Sequence, residues 1–125
     1  MIEDTTNFAN SYFFWNLVLD ESGLSRWNWR QNSLLTVDRK TETVHHNHEF
    51  YAMKHLSATV LPGAQRIAVQ NGPLLKTVAF RNPDGSRVLI ILNDTEQAIS
   101  AVLGAPGSAV QFDLPALSMI TLTLR

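Results

Sequence analysis

Hydrophobic and polar residues follow two different patterns along this chain, and the change between them falls near Pro62. After Pro62 the apolar residues alternate with polar ones or form short continuous runs, as in β-strands that pack on a core. The predicted strands span residues 66–70, 77–81, 87–93, 99–103, 110–114 and 118–124. Short strands at this spacing predict an antiparallel β-sandwich over residues 62–125, and therefore a mostly β fold class.

Two turns and two strands carry the strongest signals in this half. Asn82-Pro83-Asp84-Gly85 predicts a tight turn, because proline presets the first turn position and glycine accepts a left-handed backbone. A second turn is predicted at Gly104-Ala105-Pro106-Gly107. Residues 88–92 are continuously apolar, which predicts a central strand covered on both faces. In the last strand the residues predicted to face inward are Ile120, Leu122 and Leu124.

The half before Pro62 shows less alternation. Residues 8–19 are mostly aromatic and aliphatic, which favours a strand buried on both faces. A helix is the alternative there, since some of the same residues also fit a period of 3.6. Residues 33–38 predict a second extended segment, and residues 39–47 predict a polar connection.

A helix is predicted over residues 48–60. Asn47 can cap its first turn, Glu49 favours the positive end of the helix dipole, and Pro62-Gly63 ends it. The apolar stripe that would face a core consists of Phe50, Met53, Leu56 and Val60.

Composition limits the functional classes. The chain has 125 residues, about one domain, and its 45% hydrophobic and 17% charged residues are ordinary for a globular protein. A formal net charge of -1 offers no electrostatic surface for nucleic acid, so no nucleic-acid partner is predicted. No apolar run is long enough for a membrane span. The first residues lack a basic region followed by an apolar core, so we expect no signal peptide in this chain.

Six short motifs occur in an order that is similar to the C-terminal part of glycoside hydrolase family 30, the glucosylceramidase-like group. The motifs, which flank a Gly- and Trp-containing loop at residues 22–29, are Trp15-Asn16-Leu17-Val18-Leu19-Asp20, Leu34-Leu35-Thr36-Val37-Asp38, Phe50-Tyr51 with His55 and Ser57, Pro62-Gly63-Ala64 with Arg66-Ile67, Asn82-Pro83-Asp84-Gly85-Ser86, and Leu114-Pro115-Ala116 with Ser118. The resemblance implies a (β/α)8 barrel followed by a β-sandwich. Residues 1–61 would then be the C-terminal end of the barrel (last strand, loop and helix), and residues 62–125 the sandwich domain.

The resemblance also implies a retaining β-glycosidase whose two catalytic glutamates lie upstream of this segment. Retention needs two carboxyl groups roughly 5 Å apart. Asp20 and Glu21 are neighbours near a strand end, but adjacent residues of an extended chain point to opposite faces. No catalytic residue is therefore predicted here, and the chain alone is predicted to be inactive. The parent protein is expected to be secreted or periplasmic, with the compartment otherwise open.

The resemblance assigns one wall of the sugar site to this chain. Trp15 matches a family tryptophan whose indole face packs on the sugar ring, and a buried core tryptophan is the alternative. Asn32 either bonds a sugar hydroxyl or holds its loop. Trp27 and Trp29 are predicted at the outer rim of the cleft. The run Ser22-Gly23-Leu24-Ser25-Arg26 replaces the Gly-Gly-Pro-Asn usual in glucosylceramidases, so a β-glucan or another β-glucoside fits as well as a glucosyl lipid.

Two interpretations of different class remain. In the first, the chain is a C-terminal fragment of a β-glycosidase, and its partners are the missing N-terminal barrel, or another copy of the chain, and a β-glucoside or β-glucan. In the second, it is a stand-alone, non-catalytic module for carbohydrate binding or assembly. No cofactor is predicted. No metal site is predicted either, because His45, His46 and His48 lie in a polar connection without a further ligand at a useful spacing.

Overall fold

The computed structural model describes residues 1–70, 72–104 and 109–125, so most of the turn predicted at Gly104-Ala105-Pro106-Gly107 lies outside the described residues. In chain order the elements are α1 (Ile2–Thr6), β1 (Val18–Asp20), β2 (Leu35–Asp38), β3 (Thr43–His46), α2 (His48–Ser57), β4 (Gln65–Ile67), β5 (Lys76–Arg81), β6 (Arg87–Asn93), β7 (Ile99–Leu103), β8 (Val110–Leu114) and β9 (Ser118–Leu124).

The chain divides into two compact units. Met1–Ala9 and Ala58–Arg125 form one, here called the sandwich unit, and Asn10–Ser57 forms the other, here called the hairpin unit. The division predicted after residue 61 lies near the junction between Ser57 and Ala58, but the first nine residues belong to the sandwich unit. The assignment of the hairpin unit to the end of a barrel stays a prediction.

Two antiparallel sheets face each other in the sandwich unit, which confirms the mostly β class and the predicted sandwich. One sheet has the order β4-β5-β6-β9, and the other pairs β7 with β8. Residues from both sheets meet in one hydrophobic cluster built around Ala79, Leu89, Ile91 and Leu114. Ile120 and Leu122 pack against this cluster as predicted, whereas Leu124 is 43% exposed because it lies at the end of the last strand.

Strand β6 is the centre of the larger sheet, as its apolar run predicts. It pairs with β5 on one side and with β9 on the other, and Val88–Ile91 are buried. The face of the sheet opposite the sandwich core carries Val78 and Ile90, and α1 contacts β5 with Ile2 buried. A strand covered on both faces can be apolar throughout, which explains why β6 does not alternate.

The Asn82-Pro83-Asp84-Gly85 turn forms as predicted. The Gly85 N–H donates to the Asn82 carbonyl over 3.0 Å, and Gly85 has φ of 86°, in the left-handed region. Asn82 itself is buried, which the sequence did not predict. Its Nδ2 donates to the Thr59 carbonyl and its Oδ1 accepts from the Leu61 N–H, both over 3.0 Å.

A second buried asparagine joins the two sheets. Asn93 is fully buried at the end of β6, and its Nδ2 donates to the Leu114 carbonyl at the end of β8, over 3.3 Å, and to that of Pro115, over 2.8 Å. Its Oδ1 accepts from the N–H and the hydroxyl of Thr95. Because buried amide groups are costly to leave unpaired, these bonds fix where the two sheets meet.

Three predictions for the hairpin unit differ from its structure. The strand predicted over residues 8–19 is limited to β1, since β1 pairs in parallel with β2 alone among the described strands and its first residue, Val18, is 45% exposed. The predicted polar connection contains β3, an exposed edge strand that pairs antiparallel with β2. Such a strand is held by backbone hydrogen bonds to its neighbour. Because all of its side chains are exposed, its sequence does not alternate between apolar and polar residues. The helix predicted over 48–60 ends at Ser57.

Candidate functional site

Trp15 and Asn32, two of the predicted sugar-contacting residues, lie on neighbouring segments. The Asn16 N–H donates to the Asn32 carbonyl over 3.3 Å, and the Leu34 N–H donates to the Asn16 carbonyl over 3.0 Å. The Asn16 side chain adds a bond from Nδ2 to Gln31 Oε1 over 2.8 Å. Asn16 belongs to the first family-like motif, but no role was predicted for it from the sequence.

The Trp15 side chain is 78% exposed in this chain, so it is not a core tryptophan here. The Trp15–Asn16 peptide bond is cis. Asn32 is also exposed. An exposed indole and an exposed amide on neighbouring segments offer an apolar face and hydrogen-bonding groups, which is the combination that sugars require.

Trp27 and Trp29 form a pair on the loop that follows β1. Their ring centroids are 6.0 Å apart with planes tilted by 34°, and the Arg26 guanidinium lies 5.0 Å from the Trp27 ring centre. Ser25 holds the loop, because its Oγ accepts the backbone N–H groups of both tryptophans over 3.3 Å. Both indoles remain more than half exposed, so the loop presents a preformed aromatic surface.

Asp20 and Glu21 converge on one arginine. Arg39 Nη2 lies 3.3 Å from Asp20 Oδ2 and 3.0 Å from Glu21 Oε1, although adjacent residues were expected to point to opposite faces. The turn of the chain after β1 permits this convergence. Hydrogen bonds from the Arg39 side chain lower the pKa of Glu21 from 4.5 to about 2, and bonds from Ser22 lower the pKa of Asp20. Both carboxyls are ionised at neutral pH and are poor general acids.

A polar cavity of about 370 Å³ lies in the hairpin unit. Asn32 and Gln31 line it from the loop, and Asn47, Glu49 and Tyr51 line it from the start of α2 and the residue before it. Trp15, Trp27 and Trp29 are not among its lining residues. The structure therefore places Asn32 at a cavity and the three tryptophans outside it.

The three histidines near β3 have other contacts or lie apart. His45 Nε2 is 3.2 Å from the Thr43 hydroxyl, and the His46 ring meets Phe50 edge-on at 4.3 Å. Within residues 1–70, 72–104 and 109–125, no group of three or more His, Cys, Asp or Glu side chains could hold a metal ion. In that same part of the chain, no helix is long and apolar enough to cross a membrane.

Comparison with known proteins shows what the chain is similar to. A model of the glycosyl hydrolase family 30 beta sandwich domain matches residues 63–122. The lysosomal acid glucosylceramidase of Mus musculus is 32% identical over 97 residues, which cover 74% of this chain and 18% of that protein. The chain is therefore similar to proteins of glycosyl hydrolase family 30. It corresponds to a C-terminal portion and spans 18% to 26% of the length of the curated relatives that it matches.

Solved family 30 structures extend the likeness beyond the sandwich. SrfJ from Salmonella typhimurium matches with a TM-score of 0.81 and 28% identity, over 89% of this chain and 25% of that one. An endo-β-1,6-glucanase matches with a TM-score of 0.80 over 96% of this chain and 28% of that one, and at 23% identity it supports the fold alone. Both matches cover most of the chain, so the likeness in fold includes residues of the hairpin unit.

Proposed function

We propose that this family 30 chain supplies the β-sandwich and one wall of the sugar site of a retaining β-glycosidase that acts on β-glucosides or β-glucans. The exposed indole of Trp15 carries the proposal, together with the bond from its neighbour Asn16 to the Asn32 carbonyl. The apolar face of a pyranose packs well on an indole, and the amide can bond its hydroxyls. Trp27 and Trp29 would extend this wall toward the next part of the substrate.

The catalytic carboxyls come from elsewhere in the proposed enzyme. Asp20 and Glu21 are held by Arg39 and Ser22 and have lowered pKa values, which suits a structural ion pair better than proton transfer. We therefore expect no turnover of 4-nitrophenyl β-glucoside by the isolated chain. Hydrolysis by the purified chain that persists in the double variant D20N/E21Q would contradict the proposal that the catalytic carboxyls lie outside this chain.

The partner that we propose is the remainder of the family 30 protein. Phe13, Trp15 and Leu17 are 91%, 78% and 64% exposed and lie within five consecutive residues of the chain. A patch of this kind marks a surface for association. A second copy of the chain could cover the same face, and it would give a dimer in light scattering.

The decisive experiment is substitution of Trp15 in the full-length enzyme that contains this chain. We expect Trp15→Ala to lower kcat/KM for a β-glucoside roughly 100-fold, equal to about 3 kcal/mol of transition-state binding. Val44→Ala, on the exposed strand β3, is the matched control. Its kcat/KM should stay within about threefold of the wild-type value. Equal kinetics for the Trp15 variant and the wild type would refute the proposed wall.

Oligomeric state tests the alternative, a stand-alone binding or assembly module. A module of that kind should be a monodisperse monomer that melts cooperatively. The proposed fragment should associate through its exposed apolar face, or gain thermal stability when the N-terminal barrel segment is added in trans. Light scattering and calorimetry on the purified chain separate the two outcomes.

A further inference from the structure

A mainly apolar cavity lies between the two sheets of the sandwich unit. It measures about 280 Å³. The four-stranded sheet lines it with Thr77, Leu89 and Ile91, and the two-stranded sheet lines it with β7 and with Phe112 of β8. We propose that this cavity binds a neutral molecule with one hydroxyl group, which bonds to Thr77, and with a hydrocarbon body.

The volume of the cavity sets the size of the ligand. An apolar cavity of about 150 Å³ in another protein holds one benzene molecule, which has six carbon atoms. By proportion, a cavity of about 280 Å³ holds roughly ten non-hydrogen atoms. Protein interiors are otherwise packed with few voids larger than a water molecule, so a space of this size can accept a small ligand.

The Thr77 hydroxyl is the polar group that the ligand would bond. On β5, Thr77 lies two residues before Ala79, which belongs to the hydrophobic cluster between the sheets, so the two side chains share the inner face. Thr77 Oγ1 is buried, and it has no hydrogen-bond partner within residues 1–70, 72–104 and 109–125. Burial of an unpaired hydroxyl costs free energy, and a ligand hydroxyl would supply the missing bond.

The remaining side chains at the cavity favour a hydrocarbon body. Most of them are aliphatic or aromatic, and they include Val69, Leu74, Leu75, Ile99, Leu103 and Phe112. Gln70 is exposed, and the Ser100 hydroxyl already accepts a bond from Gln111 Nε2 over 3.0 Å. A hydrocarbon chain placed against the aliphatic side chains removes apolar surface from water on both sides, which favours binding.

Two other ligand classes fit the cavity less well. Among the described residues that line it, none is Asp, Glu, Lys, Arg or His, so a carboxylate or an ammonium group would be buried without a counter-charge. A sugar would turn most of its hydroxyls toward aliphatic side chains and lose their bonds to water. A neutral alcohol with a single hydroxyl avoids both costs.

The test is a titration of the chain with 1-octanol, followed by ¹⁵N–¹H NMR. We expect saturable shifts of the Thr77, Leu89, Ala101 and Phe112 amides, with a Kd below about 1 mM for a ligand of this size. Glycerol, which has hydroxyls but no hydrocarbon body, should produce no saturable shift. Absence of saturable shifts with 1-octanol at these residues would overturn the proposal.

Two substitutions of Thr77 test the role of its hydroxyl. Thr77→Val removes the hydroxyl and keeps the size of the side chain, so the affinity for 1-octanol should fall at least about fivefold, whereas Thr77→Ser should stay within about twofold of the wild type. Thr123→Val changes an exposed threonine of β9 outside the cavity and is the matched control. Equal affinities of wild type and Thr77→Val would refute the bond to Thr77.

A further substitution locates the ligand. Ala101 lines the cavity and packs against the hydrophobic cluster between the sheets, so Ala101→Leu places extra carbon atoms in the space that the ligand would occupy. Binding of 1-octanol should then be lost, and binding that persists would place the alcohol elsewhere and overturn the proposal.

Calorimetric titration of the full-length enzyme that contains this chain is the last arm of the test. We expect the same affinity for 1-octanol as in the isolated chain, and the same loss in Ala101→Leu. Absence of binding in the longer protein would show that another segment of it fills the cavity, which would overturn the proposal of a ligand.

Discussion

The sandwich unit and the hairpin unit differ in where they bury hydrophobic side chains. Every buried hydrophobic side chain in the described part of the chain lies in the sandwich unit. The hairpin unit buries only Ser33 in that part, yet it carries Trp15, Asn32 and the Trp27–Trp29 pair. The unit that carries the candidate sugar-contacting residues is thus the one that buries no hydrophobic side chain in the described part of the chain.

The two units are therefore stabilised by different kinds of interaction. The sandwich unit is stabilised by apolar burial between and beside its sheets, which is worth roughly 25 cal/mol per Å². The hairpin unit is held by directed polar contacts, including Arg39 on Glu21, Asn16 on Gln31 and Asn47 on Ser33. Exposed pairs of this kind contribute little stability. We therefore expect the hairpin unit to open locally before the sandwich unit unfolds.

The largest expected effect tests the sandwich core. Ile90 is fully buried in β6, so Ile90→Ala removes apolar contacts and leaves a cavity. We expect a loss of about 4 kcal/mol in the free energy of unfolding, measured with urea. Val44→Ala, on the 55% exposed β3 position, should change it by less than about 0.5 kcal/mol. Equal losses in the two variants would contradict the contrast between the units.

Asn93 tests whether polar contacts matter when they are buried. Asn93→Ala would leave the Leu114 and Pro115 carbonyls without their shared donor. We expect a loss of about 2 kcal/mol, because the Leu114 carbonyl loses a buried donor while the Pro115 carbonyl keeps its bond from the Ser118 hydroxyl. Asn32→Ala, an exposed amide in the hairpin unit, is the matched control and should unfold at nearly the wild-type urea concentration.

A smaller effect is expected at the turn between β5 and β6. Gly85 has φ of 86° with nothing within 4 Å of an added Cβ, so Gly85→Ala should cost about 1 kcal/mol from backbone conformation alone. Gly72 has the same open surroundings without a positive φ. Gly72→Ala should therefore be neutral or slightly stabilising in thermal melts, and a loss equal to that of Gly85→Ala would disprove the conformational explanation.

The smallest expected effect is the pH dependence of the hairpin unit. The pKa of Glu21 falls from 4.5 to about 2 on folding, so its contact with Arg39 stabilises the folded state above pH 4.5. That contribution is lost as the pH falls through 2. Glu21→Gln should speed hydrogen exchange of the Arg39 amide at pH 6, since Glu21 Oε2 accepts that N–H, and the difference should shrink as the pH falls toward 2. Glu42→Gln should match the wild type at both pH values.

Sequence patterns predicted the sandwich unit well and the hairpin unit poorly. Strands β6, β7, β8 and β9 have the predicted bounds, because burial on a regular sheet leaves a periodic or continuous apolar run. Strand β3 was missed, since it is exposed at every position and depends on pairing with β2. The strand predicted over residues 8–19 was too long, because its aromatic residues indicate burial that β2 alone does not provide.

The sequence by itself indicated the likeness to glycoside hydrolase family 30, the antiparallel sandwich and the Asn82–Gly85 turn, because short motifs, strand periodicity and turn residues are signals within single segments. Only the tertiary structure decided that Asn93 joins the sheets, that Asp20 and Glu21 share Arg39, and that Asn32 lines a polar cavity without Trp15. Glu21 and Arg39 are eighteen residues apart, and Asn93 and Leu114 are twenty-one apart. Contacts at such separations leave no periodic signal, so they follow from how the strands pair and not from the pattern of any one segment.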